Sequence, residues 1–130
     1  MSSIFSKIID GSIPCYKIAE DDSFLAFLDV QPLVEGHTLV IPKKEIDYVF
    51  DLDDETLKQM MVFSKMVAAK LQAVVPCNRI GMTVIGLEVP HAHIHLVPIN
   101  QIDDMNFSKS KLDLSNAAMI AIQERIVNQA

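Results

Sequence analysis

Three of the four histidines in this 130-residue chain stand at alternate positions, His91, His93 and His95, and the fourth is His37. If residues 91–99 form a strand, the three imidazoles line one face while Ala92, Ile94 and Leu96 bury the other. Two chemistries suit such a row. One is a metal site, because neutral imidazole is a common ligand for zinc. Along a straight strand, however, the Cα atoms of His91 and His95 lie roughly 13 Å apart. Zinc–nitrogen bonds are only about 2 Å long, so one ion would take two of these rings together with His37. The other chemistry is nucleophilic attack on phosphorus. Imidazole, with an ordinary pKa of about 6.5, is a good nucleophile near neutrality. It must have its second nitrogen held by an acceptor, so that the attacking nitrogen keeps its lone pair. Flanking imidazoles, if charged, offer donors to phosphate oxygens as charge develops.

The elements that must position this row can be read from hydrophobic period and turn chemistry. A short amphipathic helix at 4–9 ends at Gly11, and Pro14 forbids its continuation. Residues 15–19 and 24–28 are expected strands joined by the polar turn Glu20-Asp21-Asp22-Ser23, and residues 37–42 form a third. A helix is expected over about 54–75, its buried face carrying Leu57, Met60, Met61, Met66, Val67, Leu71 and Val74. Asp51, Asp53, Asp54 and Glu55 suit the positive end of its dipole, and Pro76 stops it. Residues 79–85 and 91–99 read as strands four and five, linked by Gly86-Leu87-Glu88-Val89-Pro90. A last helix near 114–128 would bury Leu114, Ala117, Ala118, Ile122 and Ile126. Short connections and one long helical crossover imply an α+β fold: a five-stranded, mainly antiparallel sheet with a long helix and shorter terminal helices.

Length and composition bound the partners. One domain over 1–130 is expected, with half of its residues apolar. A net charge of −6 argues against a nucleic acid polymer as partner, so any bound phosphate must be held by local groups. Cys15 and Cys77 have neither metal-knuckle spacing nor the number for a disulfide framework. The first residues do not read as a signal peptide, and no apolar run reaches the roughly 20 residues that span a bilayer. A cytoplasmic protein without membrane partners is expected.

The segment His91-Ala92-His93-Ile94-His95-Leu96-Val97 resembles the signature of the histidine-triad (HIT) nucleotide-binding proteins, of the Hint- and Fhit-like branches. The similarity extends over about residues 3–99: Ile4-Phe5-Ser6-Lys7-Ile8-Ile9 with Ile13-Pro14, then Phe24–Asp29 with Pro32, then Gly36–Lys43. The resemblance implies a homodimer whose two sheets run on into each other. It implies His93 as the nucleophile of a nucleotidyl-histidine intermediate, with His95 contacting the phosphate. His91 would orient the nucleophile through its carbonyl, and His37 would complete the cluster. It further implies Asp29 on the ribose hydroxyls and Phe5, Ile8, Ile13, Phe27 and Leu28 around the base of a small-molecule nucleotide, a purine by family habit.

The chain departs from the family in two places. The Gly-rich loop that usually precedes the triad is shortened, with Ile85 near an expected Asn, Glu88 near an expected hydroxyl, and Pro90 stiffening the approach. A carboxylate at position 88 would repel phosphate if it pointed inward, and a solvent-facing orientation is expected. Positions that hold a structural zinc in some bacterial-type members correspond to Ser3, Ser6 and Glu45, poor substitutes for thiolates and imidazole. No metal and no cofactor is therefore expected. The expected activity is hydrolysis or transfer that splits a nucleoside monophosphate from a phosphate- or amine-linked group. The alternatives are a catalytically weak nucleotide-binding or regulatory protein, and a histidine metal site.

Overall fold

The computed structural model describes residues 2–128. Its elements are α1 (Ile4–Ile9), β1 (Lys17–Glu20), β2 (Phe24–Leu28), β3 (Thr38–Pro42), α2 (Asp54–Val74), β4 (Arg79–Thr83), β5 (Ile94–Ile99) and α3 (Asn116–Val127). Short 3-10 turns lie at Val49–Asp51 and Ile102–Met105. The strands form one sheet in the order β1-β2-β3-β5-β4, and every neighbouring pair is antiparallel. This is the α+β architecture expected.

The side chain of Asp53 accepts from the Thr56 amide to start α2, and Asp54 and Glu55 occupy its first turn. The helix buries Met60, Phe63, Ser64, Val67 and Leu71. Two residues assigned to that face, Met61 and Met66, are instead exposed, and Phe63 is buried in their place. Spacings of three and four from Met60 run through Phe63, Val67 and Leu71, and the two methionines fall on the adjoining stripe. In α3, capped by Ser115, Met119, Ile122 and Ile126 are buried, while Ala117 is exposed and Leu114 precedes the helix.

Alternation along the strands splits the side chains between two cores. Phe24, Ala26, Leu28, Val40, Ile94 and Leu96 pack with α2 and α3 on one face. Leu25, Phe27, Leu39 and Ile41 form the other face with Phe5 of α1. Pairing of Phe27 with Leu39, and of Leu39 with His95, carries this second face across to the triad.

The expected strand over 91–99 is shorter. β5 begins at Ile94, so His91 and His93 approach the sheet in irregular chain. Val40 pairs with Ile94, and a continued register would set Pro42, which has no N–H, against Ala92. The Ala92 amide donates instead to the Ile46 carbonyl at 2.7 Å, and the His91 amide to the Val89 carbonyl at 2.8 Å. Strands β1 and β4 are likewise shorter than expected, losing residues 15–16 and 84–85.

The loop from β2 to β3 closes where the Asp29 amide donates to the His37 carbonyl at 2.9 Å. Gly36 makes the turn possible, with φ +94° and space for a Cβ only 3.0 Å from Val75 Cγ2 and 3.3 Å from Pro98 Cγ. Gly36→Ala should therefore lower the unfolding free energy by about 1–3 kcal/mol through strain and crowding. Urea denaturation checks this, and unchanged stability would contradict it.

Candidate active site

The histidine row lies on the α1 face of the sheet. Helix α1 is started by Ser3, whose side chain accepts from the Ser6 amide, and it delivers the Phe5 ring edge-on to His93 (5.0 Å between centroids) and His91 (5.8 Å). At the other end of the row Phe107 meets His95 at 4.8 Å and His37 at 5.9 Å. The His93 and His95 rings are 4.9 Å apart, and all four imidazoles are buried.

Hydrogen bonds to the backbone determine where each proton sits. The Leu33 amide donates to His37 Nδ1 at 3.0 Å, so that nitrogen is an acceptor and Nε2 carries the proton. His37 Nε2–H then donates to His95 Nδ1 at 3.0 Å, leaving the His95 proton on its own Nε2. His91 Nε2 lies 2.7 Å from the Pro42 carbonyl, which can only accept, so it too is the Nε2–H form, and its Nδ1 takes the Ser3 hydroxyl proton at 2.9 Å. His93 is the exception. Its Nδ1–H donates to the His91 carbonyl at 2.8 Å, and its Nε2 keeps a lone pair with no hydrogen-bond partner among the described residues. The arrangement therefore presents a lone pair on His93 beside an N–H donor on His95.

Burial keeps the flanking rings neutral. It pushes His95 down to about 3, with His93 and His37 adding repulsion. It pushes His37 down to about 4, with Lys111 and His93 adding to the effect. His91 is also lowered by burial, against opposing pulls from the Pro42 carbonyl and Glu45. The flanks thus act as neutral dipolar donors rather than as the charged groups considered from sequence. Asp29 is raised by burial and stabilised by the Gln31 amide on Oδ1. Its Oδ2 lies 3.6 Å from His37 Nε2.

Ligand atoms of Asp29, His37 and His95 lie within 4.8 Å of one another, a spacing a metal ion could use. The tautomers do not suit one. With Nδ1 of His37 already accepting the Leu33 amide, its Nε2 holds a proton and offers no lone pair. Ser3, Ser6 and Glu45 also converge: Glu45 Oε1 accepts from the Ser3 amide and the Ser6 hydroxyl, both at 2.6 Å. Two hydroxyls, a carboxylate and a ring bonded at both nitrogens are a poor donor set for zinc.

Of the apolar residues expected around a base, Phe5 and Phe27 share one cluster and the half-buried Ile8 packs on it. Leu28 does not join them. It follows Phe27 in β2 and so faces the α2 core. Ile13 is half-buried and is not among the side chains packed on that cluster. Glu88 is exposed, as expected, yet its charge reaches Asp29 and raises it slightly. Sequence reasoning missed Phe107, for which no periodic signal exists. It also weighed Ser3 only as a missing zinc ligand, although a serine before a helical run is a recognisable cap.

A family model described as HIT domain matches residues 10–102. Over 119 residues the chain is 36% identical to an uncharacterized HIT-like protein of Borreliella burgdorferi, covering 85% of this chain and 86% of that one. It is 38% identical over 102 residues to an adenosine 5'-monophosphoramidase of Schizosaccharomyces pombe, covering 75% of this chain and 74% of the relative. Among solved structures, a Hit-like protein from Bartonella henselae, described as involved in cell-cycle regulation, superposes with a TM-score of 0.86 at 26% identity. That alignment covers 99% of this chain and 96% of the other.

The depressed imidazoles make stability depend on pH. Unfolding restores each histidine to about 6.5, so the unfolded chain binds more protons than the folded one below that value. His37 contributes its full share above about pH 6.5 and loses it as pH falls towards its folded value of about 4. Unfolding free energy by urea should therefore decline steadily from pH 6.5 to 4.5. In His37→Gln the slope should be smaller by about one proton. A wild-type stability that is flat across this interval would contradict the buried, neutral cluster.

Proposed function

Because the chain belongs to the histidine-triad (HIT) family, we propose that it is a nucleotide hydrolase or nucleotidyl transferase working through His93. The observation that carries this reading is the lone pair on His93 Nε2 next to the N–H of His95. In the proposed reaction Nε2 attacks the α-phosphorus of a nucleotide and an N–P bond forms, while the bond to the leaving group breaks. The leaving group takes the electron pair and, where it is an amine, a proton from solvent. Positive charge grows on the His93 ring, and the His91 carbonyl receives the Nδ1–H that carries it. The neutral Nε2–H of His95 donates to a phosphate oxygen. Water then cleaves the N–P bond and releases the nucleoside monophosphate.

The phosphoramidase named among the relatives supports an amine-linked substrate, and adenosine as the nucleoside. Asp29, half-buried beside His37, suits the ribose hydroxyls as a charge-assisted acceptor. The cleft of Phe5, Ile8 and Phe27 suits the base. A second reading, a weak enzyme that mainly binds nucleotide, is favoured by the shortened segment before the triad. Its Ile85 and Glu88 are both exposed and offer no donor to a leaving group.

The proposal extends to a single domain that works as a cytoplasmic homodimer; among the described residues no helix is long and apolar enough to cross a membrane. Strand β4 ends the sheet order, and its outer edge has no strand partner among the described residues. A groove of about 360 Å³ beside it is lined by Met61, Val62, Ala68, Ile80 and Met82, and the Ser64 hydroxyl there is buried without a partner among the described residues. Sheet continuation across this edge would cover both.

Two measurements test these readings. His93→Ala should abolish turnover of an adenosine phosphoramidate and of the corresponding dinucleoside polyphosphate, with nucleotide affinity kept within about tenfold. Near-normal kcat in that variant would overturn the mechanism, and negligible wild-type turnover with intact binding would favour the second reading. Sedimentation of the double variant Val62→Asp, Met82→Lys should reveal monomer where the wild type is dimeric, a loss of at least about tenfold in association. An unchanged dimer would move the interface elsewhere.

A further inference from the structure

Ser3 stands 88 residues from the triad in sequence, yet its side chain is buried against it. Its hydroxyl has one proton and several claims on its oxygen. The Ser6 amide donates to Oγ at 3.0 Å, which uses one lone pair. The proton can go to His91 Nδ1 at 2.9 Å or to the Ser6 hydroxyl at 3.4 Å. Because His91 Nε2–H is committed to the Pro42 carbonyl, Nδ1 is a bare acceptor in a buried site, and Ser3 is its donor. Glu45 locks Ser3 in place by accepting from its amide.

We propose that Ser3 is a positioning residue for the reaction inferred above, on which this inference rests: its hydroxyl holds His91 as a neutral, singly oriented ring while the carbonyl of His91 holds His93. Both nitrogens of His91 are then bonded, and the ring cannot turn or exchange its proton without breaking one contact. The groups facing His91 explain why this matters. Phe5 closes one side, Glu45 lies beyond Ser3, and His93 follows two residues on. Without the hydroxyl, Nδ1 would lose the donor that occupies its lone pair, and the Glu45 carboxylate, which already pulls this ring upward against burial, would favour a second proton there. An imidazolium at position 91 would repel the positive charge that builds on His93 as the N–P bond forms.

Ser3→Gly separates this role from helix capping, because glycine serves nearly as well as serine at a helix N-cap. Nitrogen-15 spectra of histidine-labelled protein at pH 7 should give a single Nε2–H form for His91 in the wild type. In Ser3→Gly the same ring should become doubly protonated or mixed, and kcat should fall about tenfold with KM changed by less than about twofold. Ser3→Thr, which keeps the hydroxyl, should restore the His91 signal and most of the rate. A His91 signal unchanged in Ser3→Gly would overturn the proposal whatever happens to the rate, and so would Ser3→Thr behaving like Ser3→Gly. The spectra need no turnover, so failure of the proposed hydrolysis would leave them informative about Ser3.

Discussion

Four buried imidazoles within one network could share their protons in many ways, and backbone groups leave only one. The Leu33 amide can only donate, and the carbonyls of Pro42 and His91 can only accept. These three fixed groups dictate the protonated nitrogen on His37, His91 and His93, and His37 passes the choice on to His95. The result differentiates chemically identical side chains: one lone pair, on His93 Nε2, is left without a partner among the described residues, and the N–H of neighbouring His95 is left to donate. A side-chain partner could rotate to suit another arrangement, whereas these backbone groups are held by the sheet and its loops.

Each part of the fold near the site serves that constraint. Gly36 brings the His37 carbonyl to the Asp29 amide and sets the loop from which Leu33 donates. Pro42 ends the ladder, freeing its carbonyl for His91 and leaving residues 91–93 out of regular pairing. Phe5 and Phe107 pack against the two ends of the row, placing apolar rings on His93 and His95. The same burial depresses His37 and His95, so neutrality near pH 7 and tautomer selection have one physical origin.

Much of this was legible in the chain before any coordinates. Alternation placed the three triad rings on one side and Ala92, Ile94 and Leu96 on the other, and this holds although only His95 lies within β5. The strand end was not legible, because it depends on which residue of another strand faces Ala92. Adjacent Phe27 and Leu28 were both assigned to the cleft, and period two allows only one of them. On α2 the methionines satisfied a helical period as well as Phe63 did, and only packing against the sheet decided which stripe was buried. Phe107 and the donor role of Ser3 are tertiary facts, arising from segments far from the triad in sequence.

Nitrogen-15 correlation spectra of the wild-type protein at pH 7 test the assignment of protons in the cluster directly. Protonation on Nδ1 for His93, and on Nε2 alone for neutral His37 and His95, is the expected pattern. His93 protonated on Nε2, or a charged His37 or His95 at that pH, would contradict it.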